Sequence, residues 1–194
     1  MAVTRKTFED LEIREKWEGT LSDDFALTKV LNDAGMPIVF VPAALTASVE
    51  GCTFGEMLEF TTRQMKITRV YAAPLWILSF VGSGLFCTVM SAALLIAALY
   101  PRNGPIVWIS IATLAIVSVC SIGKAWLRLN AVRLALVDHR SEIDRQYWTQ
   151  LTLWSLTPAI FLYNAAAALF SRRLKWRGTH YLLKSHRETV IIAD

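Results

Sequence analysis

The sequence predicts an α-helical membrane protein with a small α/β cytoplasmic portion. Two observations lead to this fold class. Hydrophobic residues make up 54% of the 194 residues and charged residues only 19%, which is typical of membrane proteins rather than soluble domains. In addition, residues 70–101 contain no charged side chain, and this run exceeds the roughly 20 helical residues that span a bilayer core.

Residues 1–70 are predicted to form the cytoplasmic portion. A short helix is expected around residues 7–17. A second helix should begin after Ser22, because serine is a favoured N-cap residue. Asp23 and Asp24 then occupy its first turn, where the helix dipole favours negative charge.

Two short strands and a long helix are expected before the membrane. Residues 37–42 form an apolar run between two prolines, which predicts a buried strand. Residues 45–49 alternate in polarity and indicate another. Thr53 and Glu56 have the spacing of a capping box, so a long helix should begin there.

Residues 71–123 are predicted to form a transmembrane helical hairpin. Its two apolar runs, 75–100 and 105–123, are joined by a tight turn at residues 101–104. Three basic residues precede the hairpin and three follow it, so all six lie at its open end. Arg102 is the one basic residue in the turn at the other end. The positive-inside rule therefore places residues 1–70 in the cytoplasm. The flanking residues are Arg63, Lys66, Arg69, Lys124, Arg128 and Arg133.

The last third of the chain contains three predicted segments. Residues 124–147 mix apolar and basic side chains, as an amphipathic interfacial segment does. Residues 148–171 lack charges and contain Pro158, so they predict either a third transmembrane helix, which their length favours, or a re-entrant helix broken at the proline. Residues 172–194 form a basic tail, whose charges favour the cytoplasmic side.

The composition argues against several kinds of site. No soluble basic patch is interleaved with aromatic residues, so no nucleic acid partner is expected. The cysteines lack the spacing of metal ligands and are predicted to be unpaired buried thiols. No metal site is predicted, and the histidines are interpreted as surface residues. The cysteines are Cys52, Cys87 and Cys120, and the histidines are His139, His180 and His186.

Two charged motifs indicate the chemistry. An acidic pair at residues 23–24 is followed by a basic helix at residues 63–69, next to the membrane. A carboxylate accepts a proton from an acceptor, and basic groups hold an anionic leaving group, so the pattern suits transfer of a group carried on a phosphate. Each motif also has a simpler interpretation: the acids compensate a helix dipole, and the basic residues bind lipid headgroups.

Three motifs occur in a fixed order around the apolar hairpin: LSDDFAL at residues 21–27, RQMKITRVY at 63–71 and KWRGTHY at 175–181. Together they resemble membrane-integrated family 2 glycosyltransferases, and most closely the ceramide glucosyltransferase-like group. The resemblance covers nearly the whole chain but only the C-terminal part of such an enzyme. It implies a C-terminal remnant of a GT-A-type glycosyltransferase domain over residues 1–70, followed by transmembrane helices.

The resemblance also implies roles for individual residues. Asp24 matches the general base that deprotonates the acceptor hydroxyl, and Asp23 matches its acidic neighbour. A membrane-surface motif would bind the nucleotide diphosphate or the acceptor. In that motif Lys66 replaces the usual arginine, so the point charge of an ammonium group stands where a planar guanidinium group is common. Ile67 replaces the usual tryptophan. The implied substrate-binding residues are Arg63, Gln64, Lys66 and Arg69.

The activity implied by the resemblance is inverting transfer of a sugar from a nucleotide-sugar donor, a UDP-sugar, to a membrane lipid hydroxyl. The family's donor-binding half, whose Asp-x-Asp pair holds Mg²⁺ or Mn²⁺, has no counterpart ahead of Asp23. The chain is therefore expected to be a fragment, or half of an enzyme whose donor-binding half lies on another chain. The alternative is a non-catalytic membrane remnant or partner subunit. In either case the protein should be a multi-pass integral membrane protein.

Overall fold

The computed structural model describes residues 1–48, 51–100 and 104–192. In this part of the chain, nine α-helices precede a small sheet of three strands. The chain divides into two compact units. The first comprises Met1–Phe40, Cys52–Phe80 and Tyr163–Asp194, and the second comprises Val41–Gly51 and Val81–Leu162.

Helices dominate the structure, as the composition predicts. They are α1 (Arg5–Asp10), α2 (Ile13–Trp17), α3 (Asp23–Asp33), α4 (Phe54–Tyr71), α5 (Ala73–Leu99), α6 (Pro105–Ala135), α7 (Arg140–Arg145), α8 (Tyr147–Thr152) and α9 (Leu156–Phe170).

The N-terminal helices differ slightly from the prediction. The helix expected over residues 7–17 is two helices, α1 and α2, because Glu12 between them adopts a left-handed φ of 49°. Helix α3 begins after Ser22 as predicted, although the serine side chain makes no capping hydrogen bond. Leu27 and Leu31 of α3 are buried against Ile13 of α2.

The capping box that begins α4 is confirmed. The Thr53 hydroxyl accepts a hydrogen bond from the Glu56 backbone N–H, and the Glu56 carboxylate accepts one from the Thr53 N–H at 2.7 Å. The Thr53 backbone and hydroxyl hydrogen bonds lower the pKa of Glu56 below its ordinary value. These bonds satisfy two backbone donors that the first helical turn leaves without partners.

The predicted strands at residues 37–42 and 45–49 are wrong for the described residues. Residues 37–41 have no regular structure, and Pro42–Ala44 form a 3₁₀ turn. Val39 is 77% exposed rather than buried. Pro37 and Pro42 lack backbone donors, so this run is poorly suited to pair in a sheet. Residues 45–48 are likewise irregular, and Val49 lies outside the described residues.

The strands lie instead in the predicted basic tail. They are β1 (Arg173–Trp176), β2 (Thr179–Leu183) and β3 (Thr189–Ile192), which form an antiparallel sheet in the order β1-β2-β3. Arg177 and Gly178 connect β1 to β2, with φ values of 49° and 83°. Two successive residues with positive φ form the tight hairpin turn that matches the twist of antiparallel strands.

The sheet packs on α4 within the first unit. Ile67 of α4, Leu174 of β1 and Leu183 of β2 form a buried cluster. Leu21 and Phe25 pack against the same cluster, so the start of α3 belongs to this core. Because Ile67 is one of its central residues, its side chain serves packing rather than ligand contact.

Gly19 makes a further close approach between the N-terminal segment and the sheet. Its φ is 73°, and a Cβ atom there would clash with the backbone carbonyl of Arg187. Only glycine fits a positive φ and such a close backbone approach without strain.

In the described part of the chain, three segments are long and apolar enough to cross a membrane: Ala73–Leu99, Pro105–Ala135 and Tyr147–Phe170. By length and composition, these segments are consistent with the predicted membrane protein. Helix α6 continues to Ala135, so the predicted boundary at residue 123 falls inside one helix. Residues 101–103 of the turn predicted at residues 101–104 lie outside the described part of the chain.

The third apolar segment is interrupted. A 3₁₀ turn at Leu153–Ser155 separates α8 from α9, and Pro158 lies in the first turn of α9. A proline has no N–H to donate to the preceding turn, so the regular hydrogen bonding breaks just before it.

The cysteines are free thiols, as predicted, but their predicted burial is wrong. Cys52 and Cys120 are exposed, and Cys87 is half-buried. Cys87 and Cys120 lie on helices whose apolar faces are not covered by protein. An apolar run indicates burial in protein or contact with lipid, and sequence alone does not separate the two.

Candidate functional site

The first unit contains a cavity of about 620 Å³ formed by α4, the C-terminal sheet and Tyr163 of α9. The α4 residues that line it are spaced three or four positions apart and therefore share one face of the helix. They are Gly55, Leu58, Glu59, Thr62, Arg63 and Lys66.

The sheet supplies the opposing residues. Lys175, His180 and Ile192 are direct cross-strand neighbours, since Lys175 pairs with His180 and His180 pairs with Ile192. Neighbours of this kind project from the same face of a sheet. Arg173 and Leu174 of β1 complete the lining from the sheet.

The lining is strongly cationic. Among the residues that the structure describes, Arg63, Lys66, Arg173 and Lys175 line the cavity, and Glu59 is the one carboxylate in that lining. Positive side chains around a partly enclosed space raise the local concentration of anions. Two of these side chains are arginines, whose planar guanidinium groups match phosphate oxygens in a bidentate way.

Lys66 connects the two walls of the cavity. Its ammonium group donates a hydrogen bond to the backbone carbonyl of Arg173 at 2.6 Å. Burial lowers the pKa of Lys66 from its ordinary value, because a partly desolvated ammonium group loses part of its favourable hydration. The contact therefore holds the ammonium group of Lys66 at the wall of the cavity, at some electrostatic cost.

Arg63 is held by aromatic rings. Its guanidinium carbon lies 5.2 Å from the ring centre of Phe60 and 5.9 Å from that of Trp176. Cation–π contacts of this kind restrict the arginine without neutralising its charge. Arg63 and Lys66, both predicted from the sequence, are thus brought together in the cavity.

Gln64 and Arg69 lie outside the residues that line the cavity. Gln64 is exposed on another face of α4. Arg69 donates hydrogen bonds from Nη1 to the backbone carbonyls of Ala168 at 2.5 Å and Leu169 at 2.8 Å. A cation at these carbonyls satisfies and complements the C-terminal end of α9.

The acidic pair occupies a fixed but separate position. Asp23 and Asp24 are exposed in the first turn of α3 and do not line the cavity. The Tyr71 hydroxyl accepts a hydrogen bond from the Leu21 N–H at 2.7 Å, and its ring stacks on Phe25 with 5.9 Å between ring centres. Tyr71 thereby attaches the start of α3 to the end of α4.

Helix α9 is also joined to α4 by a polar contact. The Thr62 hydroxyl lies 2.7 Å from the side-chain oxygen of Asn164 and is the donor, since that oxygen accepts. Asn164 is only 2% exposed. Trp76 connects α9 to α5 instead, because its indole N–H donates to the Ala165 carbonyl at 3.1 Å.

A comparison with known families matches residues 1–189 to glycosyl transferase family 21. The chain belongs to glycosyl transferase family 21. No curated protein and no solved structure is a significant match to it. Membership of family 21 confirms the general resemblance to glycosyltransferases, and the three apolar segments agree with the predicted membrane location.

In this family 21 chain, the sequence predicts the basic cavity residues that lie on α4 but not those that lie on the sheet. Arg173, Lys175 and His180 were interpreted as parts of a basic tail or as surface residues. A signal was present: Leu174 and Trp176 alternate with charged residues ahead of the Arg177-Gly178 turn, which is a hairpin pattern.

The resemblance implies a divalent metal, but the described residues of this family 21 chain do not form a metal-binding site. No group of three or more His, Cys, Asp or Glu side chains there is arranged to hold a metal ion.

Proposed function

We propose that this family 21 protein acts in the transfer of a sugar from a UDP-sugar to the hydroxyl group of a membrane lipid, in the manner of ceramide glucosyltransferase-like proteins. The cationic cavity is the observation that carries this proposal. Its four basic side chains surround a volume of about 620 Å³, which falls in the usual range for small-molecule sites.

The cavity would bind the diphosphate of the donor. UDP is the leaving group of the reaction, because the bond between the sugar carbon and the β-phosphate oxygen breaks, and negative charge grows on its diphosphate as the sugar departs. Arg63 and Arg173 provide planar donor groups for its oxygens, and Lys66 and Lys175 provide point charges. Donors that are already in place stabilise such a developing charge most effectively.

Asp24 would act as the general base. Its carboxylate would accept the proton of the lipid hydroxyl as the oxygen attacks the sugar, while Asp23 maintains the acidic character of the first turn. What supports this role is the motif and the fixed position of α3, which Tyr71 holds against α4. A base must be held within reach of its substrate to be effective.

The test is sugar transfer in native membranes that contain the full chain, with a radiolabelled UDP-sugar and ceramide. Asp24→Asn should lower the rate by about 100-fold or more, the usual range for loss of a general base. Asp10→Asn is the control, because Asp10 is an exposed carboxylate on α1 away from the cavity. If the Asp24→Asn variant matches the control, Asp24 is not the base.

Donor binding is tested separately by equilibrium binding of UDP. Lys175→Ala should weaken binding about tenfold, because a hydrogen bond to a charged group contributes about 1.5–3 kcal/mol and about 1.4 kcal/mol corresponds to a factor of ten. Lys6→Ala removes the same charge from an exposed site on α1 and should leave binding unchanged. Failure of the wild-type chain both to bind UDP and to transfer sugar would favour a non-catalytic partner subunit.

A further inference from the structure

The segments that precede and follow the three apolar segments, α4 and the C-terminal sheet, are in contact with each other. Helix α4 directly precedes α5, the first apolar helix, and the sheet follows α9, the end of the last apolar segment. Nevertheless α4 and the sheet share one buried core of Ile67, Leu174 and Leu183. Lys66 also donates directly to the Arg173 carbonyl. Two segments in contact through a core and a hydrogen bond lie on the same side of a bilayer.

This contact restricts the number of membrane crossings between Tyr71 and Arg173 to an even number. Helices α5 and α6 have 27 and 31 residues, so each exceeds the roughly 20 residues that cross a bilayer core. These two crossings already bring the chain back to its starting side. We propose that Tyr147–Phe170 is a re-entrant segment that enters and leaves the membrane at the same face, and that Tyr163 within it contacts the lipid acceptor.

The form of this segment agrees with a re-entrant path. Helix α9 has 15 residues and is therefore about 22 Å long at about 1.5 Å per residue, shorter than the roughly 30 Å hydrocarbon core. The 3₁₀ turn at Leu153–Ser155 separates it from α8. Irregular backbone at membrane depth is tolerated where the polar groups are satisfied by protein or water.

The end of α9 is held by residues that lie ahead of the membrane. Thr62 and Arg69 of α4 contact Asn164, Ala168 and Leu169. These two polar residues of α4 lie within three positions of Arg63 and Lys66, which line the cavity. The last two turns of α9 therefore lie at the level of α4, which leaves too few residues in α8 and α9 for a crossing.

Tyr163 is the point at which this segment meets the cavity. It lines the cavity and is also 55% exposed, on a helix whose neighbouring surface includes the exposed Phe170. A side chain with an apolar ring and a polar hydroxyl suits the boundary between lipid and water. This part of the inference rests on the proposed function, because it assigns the exposed side of the cavity to a lipid whose hydroxyl group is the acceptor.

Cysteine labelling tests the topology without any assay of activity. In full-length protein with Cys52, Cys87 and Cys120 replaced by serine, single cysteines are introduced as Lys6→Cys, His186→Cys and Tyr100→Cys. Lys6 lies on α1, His186 in the loop between β2 and β3, and Tyr100 directly after α5. Each variant is treated with a membrane-impermeant maleimide in intact cells and in inverted vesicles.

We expect Lys6→Cys and His186→Cys to be labelled from one face and Tyr100→Cys from the other. Labelling of His186→Cys together with Tyr100→Cys would overturn the re-entrant path, because the tail would then lie across the membrane from α1. Labelling of all three from one face would also overturn it, because α5 would not cross. Neither outcome depends on UDP binding or sugar transfer.

Photocrosslinking tests the lipid contact. A benzophenone amino acid is placed at position 163 or, as a control, at Lys29, which is exposed on α3, and the membranes receive radiolabelled ceramide. Crosslinking at position 163 well above that at position 29 is expected. Equal labelling at the two positions, or none at 163, would overturn the role of Tyr163 and leave the topology result intact.

Discussion

Individual side chains determine how the cavity responds to pH. The folded-state pKa of Lys66 is lowered by burial, whereas in the unfolded chain it should be close to the ordinary value of about 10.4. Between those two values the folded state binds fewer protons than the unfolded state, so the contribution of Lys66 to stability rises with pH. The cavity meanwhile loses the positive charge of Lys66 as the pH rises through this lowered pKa.

UDP affinity should therefore fall as pH rises through the lowered pKa of Lys66. Lys66→Arg should keep its affinity over the same range, because arginine stays protonated. We would measure the UDP dissociation constant of both proteins between about pH 7 and about pH 10. This range lies below the ordinary lysine pKa of about 10.4. Parallel pH profiles would show that Lys66 does not contact the anion.

Tyr71 should control the position of the acidic pair. Tyr71→Phe removes the acceptor of the Leu21 N–H, and loss of a partner for a partly buried donor costs about 1–3 kcal/mol. We expect a lower free energy of unfolding and faster hydrogen exchange at the Leu21 amide.

Tyr181→Phe provides the matched control for this substitution. Tyr181 packs against the same core, but its hydroxyl makes no hydrogen bond to the described residues. Its loss should change stability much less. Equal effects of the two substitutions would mean that the Tyr71 hydrogen bond does not fix the start of α3.

Among the secondary-structure elements, the hairpin of β1 and β2 supports half of the cavity. Gly178 has a φ of 83°, a conformation that costs residues with a Cβ atom about 1–2 kcal/mol. Gly178→Val should destabilise the sheet by about that amount and weaken UDP binding, because Lys175 and His180 flank the turn. Limited proteolysis of the tail and UDP binding would measure the two effects.

Arg177→Asn is the matched substitution in the same turn. Asparagine tolerates positive φ well, and Arg177 does not line the cavity. The variant should bind UDP as the wild type does and resist proteolysis at least as well. A loss of binding as large as that of Gly178→Val would indicate a direct role for Arg177 rather than an effect of turn geometry.

Elements with strong local signals were predicted correctly from the sequence. The capping box of Thr53 and Glu56 and the apolar lengths of α5 and α6 depend on neighbouring residues only. The strand predicted at residues 37–42 failed because a strand needs a partner, and the described structure supplies none there. The hairpin of β1 and β2 was missed because its charged residues suggested a tail.

For the protein as a whole, the candidate site was predictable only in part. The α4 motif placed Arg63 and Lys66 on one helical face, since they are three residues apart. Nothing in that motif indicates that Arg173 and Lys175, more than a hundred positions later, complete the lining. Such a pairing depends on the sheet packing against α4 after the three apolar segments, which is a property of the tertiary structure.

Only Ser171 and Arg172 separate the end of α9 from the first residue of β1. Arg69 binds the last carbonyls of α9, and Arg173, just beyond, lines the cavity. Because the connection is only two residues long, a change in the position of the end of α9 should also move β1. The geometry of the cavity wall formed by β1 therefore depends on where α9 ends, so a substitution that shifts the end of α9 should also change the cavity.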